Sequence, residues 1–384
     1  MCTLLMTITP ANRSGGRWAG RSAAALEAAR AGLTVHLYDE RPILGGPTYG
    51  RAAESKLLAK LEAAGSRGVL HQRATIWGIF EQRTLAVWER DRAESVRPEA
   101  MVLATGAHDR AVPVPGWTLP GVTNAEAIRS LLDARALPPG QRVLVAGTGP
   151  LLPAVTSRLV CEGAHVVAVL DAAPSRRMPR VSPTSWARWP LSGDATADWH
   201  TLRAARVPLV GSRAVARAVG DPSVRKVVTV ALDEDWRLVR GSEETFEVAA
   251  VCFAWGAVPS IQLSQMCGAE HQYVAERGGW VPRVSAEMET TVPGIFSAGD
   301  GGGLGGAAMA VLEGRVAGIV AAARLGALSP GAARSRLRPH QSALAPLRKS
   351  RDVLGGLSAM RPGLAELITP DTVIPVRGHY GGTG

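Results

Sequence analysis

Apolar residues in this chain come in short runs separated by glycine-rich turns. Residues 142–146 form an apolar run of strand length, Gly147-Thr148-Gly149-Pro150 is a turn, Ala154–Glu162 follows a helical pattern, and His165–Leu170 is a second apolar run closing on Asp171. That order predicts a βαβ unit, since a strand buried on both faces is continuously apolar and short, whereas the crossover helix is longer. A similar pattern lies upstream: an alanine-rich helix after Gly20 (Ala23–Ala31), Gly32, then a strand Thr34–Tyr38 closing on Asp39 and Glu40, with Gly45 and Gly46 beyond. Two further strands, Ala100–Ala104 and Ile295–Ala298, run into Thr105-Gly106 and Gly299-Asp300, and a long apolar helix spans Ala307–Leu325. The fold expected is α/β, with two Rossmann-like dinucleotide-binding domains of FAD/NAD(P)-binding type and a short helical tail from about Gly331.

The turns carry the candidate chemistry. Glycines 147 and 149 permit a tight turn and close approach of backbone to a pyrophosphate, the following helix N-terminus offers unpaired N–H groups, and Asp171 can hold a ribose hydroxyl. Leu152 stands at the third glycine position, so a nucleotide site and a purely structural βαβ unit both remain open. Upstream, Asp39 or Glu40 takes the ribose role. The amides from Gly305 and Gly306 through Ala307 to Ala308 would suit a phosphate or a flavin carbonyl oxygen.

Composition narrows the classes. Hydrophobic residues make up 46% and charged residues 20%, with 43 Gly and 26 Pro, which excludes disorder and collagen. The net charge of +10 and pI near 10.2 come from arginine, since only Lys56, Lys60, Lys226 and Lys349 are lysine. The basic residues are scattered among acids and accompany no nucleic-acid motif, so no nucleic-acid partner is expected. The longest apolar stretch, Leu304–Gly326, is interrupted by Glu313 and Arg315, predicting no membrane span. Met1–Arg13 has no signal-peptide pattern, and a cytoplasmic location is expected. Cys2, Cys161, Cys252 and Cys267 contain no Cys-x-x-Cys pair, which excludes a neighbouring-dithiol redox centre. Histidine spacing offers no metal site, and no residue stands out as a catalytic acid or base.

Three longer stretches point to a family: Leu103–Arg110 with Pro115–Gly121, then Val143–Leu152, then Val292-Pro-Gly-Ile-Phe-Ser-Ala-Gly-Asp-Gly-Gly-Gly-Leu-Gly-Gly306. From about residue 20 to 326 the chain resembles the two-dinucleotide-domain flavoproteins of the pyridine nucleotide-disulfide oxidoreductase superfamily. Within them it is most similar to the larger subunits of opine oxidase, hydrogen cyanide synthase, sarcosine oxidase and hydroxyproline dehydrogenase type. The resemblance implies an FAD-binding domain in two parts (1–138 and 257–330), an inserted NAD(P)-binding-like domain (139–256), and a tail (331–384) that reads as the truncated start of an iron–sulfur domain. It implies FAD as cofactor, NAD(P) as a second candidate and, as partner, a second FAD-containing oxidase subunit. Asp300 would serve the ribityl and pyrophosphate, Asp39 or Glu40 the adenosine ribose, and His108 and Arg110 would face the nucleotide or anchor their loop.

Two departures qualify this. The first glycine loop reads Thr7-Ile-Thr-Pro-Ala-Asn-Arg-Ser-Gly15-Gly16-Arg17-Trp18-Ala-Gly20, with Pro10 in the expected strand and Arg17 where glycine is needed. Trp is TGG and Ala is GCN, so a one-base shift across Trp18-Ala19 yields a glycine codon and can restore Gly-Gly-Pro. No cysteine follows Cys267, whereas an iron–sulfur cluster needs about four thiolates. The expected function is therefore an FAD-dependent oxidoreductase subunit that relays electrons, the alternatives being a free-standing NAD(P)H-dependent flavoprotein reductase or a degraded, non-catalytic scaffold.

Overall fold

The computed structural model of the chain describes residues 3–7, 15–42, 59–61, 63, 68–133, 140–173, 195–370 and 372. In chain order these form β1 (Thr3–Thr7), α1 (Gly15–Arg30), β2 (Thr34–Asp39), β3 (Val69–Gln72), β4 (Thr75–Phe80), β5 (Thr84–Glu89), β6 (Arg92–Val96), β7 (Ala100–Leu103) and β8 (Ala107–Asp109). Then come β9 (Val122–Asn124), α2 (Ala125–Asp133), β10 (Arg142–Gly147), α3 (Leu151–Cys161), β11 (His165–Asp171), α4 (Ala195–Ala204), β12 (Leu209–Gly211), β13 (Arg213–Gly220), β14 (Val224–Ala231), β15 (Glu244–Glu247) and β16 (Ala250–Ala254). The last elements are β17 (Ala257–Pro259), α5 (Gln262–Met266), β18 (His271–Val274), β19 (Gly279–Pro282), β20 (Ile295–Ser297), α6 (Gly306–Arg324) and α7 (Pro330–Ser358).

Two compact units emerge. One comprises the described residues up to Asp109 together with Ala257–Ala359; the other comprises those of 110–256 and from Met360 on. The sequence pattern carries the first segment to residue 138 and sets the tail apart from 331. The structure divides the chain differently because β9 pairs with β16 and α2 joins the core on β10, while α7 buries Leu337 and Leu344 in the core of the first unit.

The first unit is built on a parallel sheet with strand order β20-β7-β1-β2-β3. Alternation along β7 shows how it is layered: Ala100 and Val102 face the helices α1, α6 and α7, whereas Met101 and Leu103 face the antiparallel strands β4 and β5. In the second unit the parallel order is β12-β11-β10-β16-β9, and Val143 and Val145 face α2 and α3 while Leu144 and Ala146 face β13 and β14.

One expectation is overturned here. Pro10 argues against a strand before the first glycine loop, yet Thr3–Thr7 forms β1 in the middle of the sheet, between β2 and β7. The described strand closes at Thr7, and Pro10 lies outside the described residues. The helix after it begins at Gly15 and not near Ala23.

The alanines of α1 do more than favour helix. A Cβ on Gly314 of α6 would lie 1.8 Å from the Gly20 carbonyl oxygen, and one on Gly318 would lie 2.4 Å from that of Ala24. Small residues on both helices let their backbones touch, and α6 is thereby locked against α1. Among the described residues α6 is the one helix long and apolar enough to cross a membrane, but most of it is buried in this unit and it carries the buried Glu313.

Candidate functional site

In the first unit, parallel register brings the glycine turns together. Leu103 at the end of β7 is level with Thr7 of β1 on one side and Ser297 of β20 on the other. Thr105-Gly106 and Gly299-Asp300 therefore leave the sheet at the same height on neighbouring strands. They interlock: a Cβ on Gly301 would lie 2.4 Å from Thr105 Oγ1, and that hydroxyl donates to the Ser260 carbonyl at 2.5 Å. His108 Nδ1 lies 3.4 Å from Ser260 Oγ, on the short ribbon β8-β17. The chain order reverses between β1 and β7, which makes their carboxyl ends the topological switch point where open α/β sheets take ligands.

Gly299 takes a positive φ of 77°, which glycine adopts without strain. Its amide donates to Glu313 Oε2 at 2.8 Å, and Asp300 Oδ1 accepts from the amides of Gly305 (3.0 Å) and Gly306 (2.9 Å). Two of the α6 amides that the sequence suggested for a phosphate thus cap onto Asp300, whose carboxylate satisfies the helix N-terminus instead; Ala307 follows within the first turn. Burial pushes the Glu313 carboxyl up to about 7, against the opposing pull of Arg351 and the Gly299 amide.

Asp39 closes β2 at the carboxyl edge of the sheet and is fully buried. Its Oδ2 accepts from Arg21 Nη2 at 3.2 Å, and its Oδ1 accepts from the Arg41 backbone amide at 3.0 Å. Glu40 follows, half-buried. Gly15 and Gly16 open α1, while Gly20 lies against Ala310 of α6, where a Cβ would come within 2.6 Å of the Ala310 oxygen. The role of Gly20 is thus a close helix contact. Gly45 and Gly46 lie outside the described residues, as do residues 8–14 of the loop before α1 and those beyond 372.

The second unit holds Gly147, Gly149 and Asp171. Gly147 ends β10, level with Asp171 of β11, and a Cβ on it would lie 2.0 Å from the Ala254 oxygen. Sheet geometry alone therefore demands glycine at 147. Gly149 has φ of 84°, and Leu152, at the third glycine position, is buried in the α3 core. Asp171 Oδ1 accepts from the Ala173 amide at 2.9 Å, and burial pushes the carboxyl up to about 6.

Sequence reading missed Arg21, Ser260 and the anchoring role of Glu313. Glu313 left a signal, since a charge inside an otherwise apolar helix marks a buried partner; Arg21 and Ser260 left none. Cys161, Cys252 and Cys267 are all free thiols. Among the described residues no cluster of potential ligands would hold a metal ion.

Two Rossmann-type units, one completed by a returning glycine-rich turn, are the architecture of the dinucleotide-binding fold class. Residues 15–314 match the pyridine nucleotide-disulphide oxidoreductase family, and the chain belongs to it. It is 30% identical over 376 residues to hydrogen cyanide synthase subunit HcnB of Pseudomonas aeruginosa, covering 94% of this chain and 81% of that protein. It is likewise 30% identical over 390 residues to an opine oxidase subunit of Rhizobium meliloti, covering 94% and 71%. Among solved structures, the thioredoxin reductase of T. acidophilum superimposes with a TM-score of 0.61 at 17% identity, covering 84% of this chain and 98% of that one. The L-proline dehydrogenase of P. horikoshii gives 0.56 at 19% identity, covering 88% of this chain and 58% of that one.

Proposed function

We propose that this chain is the flavoprotein subunit of a heteromeric amine or amino-acid dehydrogenase of opine, sarcosine or hydroxyproline type. It holds FAD in its first unit and relays electrons, in the cytosol, from a second FAD-containing subunit that oxidises a C–N bond. The observation that carries this reading is the convergence of Thr105-Gly106, Gly299-Asp300 and the α1 N-terminus at one edge of a parallel sheet. The names of the relatives support the subunit role: HcnB and the matching proteins of opine oxidase and sarcosine oxidase are each one subunit of a larger enzyme.

The residues present fit a dinucleotide. Arg21 Nη1 is a buried donor without a partner among the described residues, beside a strand-end carboxylate. Backbone at Gly15 and Gly16 would take the diphosphate, the turns at Thr105-Gly106 and Gly299-Asp300 would take the ribityl side, and Asp39 and Glu40 lie at the sugar end. FAD, when bound, supplies the electron-transfer chemistry. The protein's part is positional: Asp300 and Glu313 fix the return turn from both ends, and Ser260 pins the turn after β7.

A second reading, an NAD(P)H-dependent flavoprotein reductase acting alone, draws on the second unit, where Gly149 takes a positive φ after β10 and Asp171 closes β11. The test is to purify the chain with and without a co-expressed partner, and to measure the flavin-to-protein absorbance ratio after desalting. Retained flavin with amine-dependent dye reduction only in the complex, and no NADH oxidation by the lone chain, supports the first reading; NADH oxidation by the lone chain supports the second. Colourless protein in both preparations would reject both and leave a scaffold.

A further inference from the structure

The alanine-rich helix α1 carries one residue that its surroundings do not call for. Arg21 sits among Ala23, Ala24, Ala25 and Ala28 and is 1% exposed, with Asp39, its ion-pair partner, at 0%. Burial lowers the Arg21 guanidinium to about 10 even with Asp39 beside it. A buried ion pair repays its desolvation only when the remaining donors are also satisfied, and here Nη1 has no acceptor among the described residues. Asp39 is the better served of the two, because its Oδ1 accepts from the Arg41 amide at 3.0 Å and lies 3.5 Å from the Arg41 Nε, while its Oδ2 takes Arg21 Nη2. As a structural pair the arrangement is poor, and an apolar side chain would fill α1 better.

Its position gives it another use. Asp39 is the last residue of β2, so the Arg21 guanidinium is drawn to the carboxyl edge of the sheet, alongside the N-terminal half of a helix of 16 residues. A helix N-terminus favours anions, and an unsatisfied guanidinium at the same edge favours an oxyanion or a sugar oxygen. We infer that Arg21 is a cofactor-binding residue: Nη1 donates to an oxygen of the adenosine diphosphate half of the dinucleotide, and Asp39 is the positioning residue that aims it. The inference rests on the proposal that this unit binds FAD, and it adds a side-chain cation to a site otherwise read as a backbone cradle.

The test compares the parent with Arg21→Met, Asp39→Asn and the double variant, in which no buried charge is left behind by the loss of its partner. FAD binding is followed by flavin fluorescence, ADP and adenosine are used as competitors, and thermal unfolding reports on the fold. Arg21→Met is expected to weaken FAD and ADP by about 10- to 150-fold, also in the Asp39→Asn background if the single variant does not fold. Adenosine weakened equally would assign the oxygen to the ribose, and adenosine unaffected would assign it to a phosphate. Undiminished or tighter FAD and ADP binding without Arg21 would overturn the inference while leaving the flavin site in place. A parent that binds ADP through Arg21 but not FAD would keep the inference and reject the flavin reading, and a parent that binds neither would reject both.

Discussion

The amide of Gly299 donates to the buried carboxylate of Glu313, 2.8 Å away and one element further along the chain. This bond ties the return turn to the body of α6, and its acceptor titrates near neutrality. With its carboxyl at about 7 in the fold against an ordinary value of 4.5, Glu313 binds a proton in the folded protein that the unfolded chain has released. Its contribution to stability is therefore most favourable below about 4.5, declines as pH rises through 7, and is constant above, a total change of roughly 3 kcal/mol.

Glu313→Gln keeps an oxygen for Gly299 and removes the titration. The melting temperature of the variant relative to the parent should rise between pH 5 and pH 8. A difference that stays constant across that range would show that Glu313 does not change charge on unfolding.

The helix pair gives a prediction with an internal control. Gly314→Ala places a methyl group 1.8 Å from the Gly20 oxygen, and because that atom is backbone the two helices must separate. A loss of about 3 kcal/mol or more is expected in denaturant unfolding. Gly331→Ala, in open space on the first turn of α7, should gain about 0.5–1 kcal/mol from helix propensity. Similar effects at the two glycines would rule out the close helix contact.

Asp300→Ala strips the acceptor from the Gly305 and Gly306 amides and should weaken FAD about 10- to 150-fold, more than Asp171→Ala does. Flavin retained through gel filtration compares the two. A larger effect at Asp171 would move the flavin to the second unit.

The cysteines are expected to be structural. Cys161→Ser should leave flavin content and unfolding unchanged, whereas Cys267→Ser, half-buried against the core, and Cys252→Ser, fully buried on β16, should keep flavin content and cost stability, about 1–3 kcal/mol at Cys252. Burial pushes the Cys267 thiol up to about 12, so iodoacetamide at pH 8 should alkylate the exposed Cys161 first, as read by peptide mass spectrometry. Faster labelling at Cys267 would mean that its thiol is more accessible and more acidic than this.

Much of this architecture is legible in the sequence. The β10-α3-β11 unit stands out because its strands are continuously apolar and its turn is glycine-bounded, and α6 because an apolar run of that length has only a core to occupy. β1 is not legible, since Pro10 draws attention to a strand that has already ended at Thr7. The Arg21–Asp39 pair is hidden because an arginine in an alanine helix reads as solvent-facing until the neighbouring strand end is known. The capping of α6 by Asp300 is hidden for a similar reason: an acid after glycine suits a ligand as well as a helix terminus, and only the fold says which amides it meets.

The order in which the first unit is assembled sets the order in which it can mature. β1 and α1 are synthesised first, but β20 and the glycine face of α6 leave the ribosome only after residue 295, once β9 to β16 have already been made. The second unit has its sheet in hand by Ala254 and, among the described residues, lacks only Trp255, Leu364 and Leu367 from the buried core beside β13 and β14, so it can begin to form while the first still exposes the alanines of α1. A nascent chain that stops short of residue 295 would thus carry the sheet of the second unit while the first still lacks β20 and α6, and the contact of Gly301 with Thr105 can form only once both have been made.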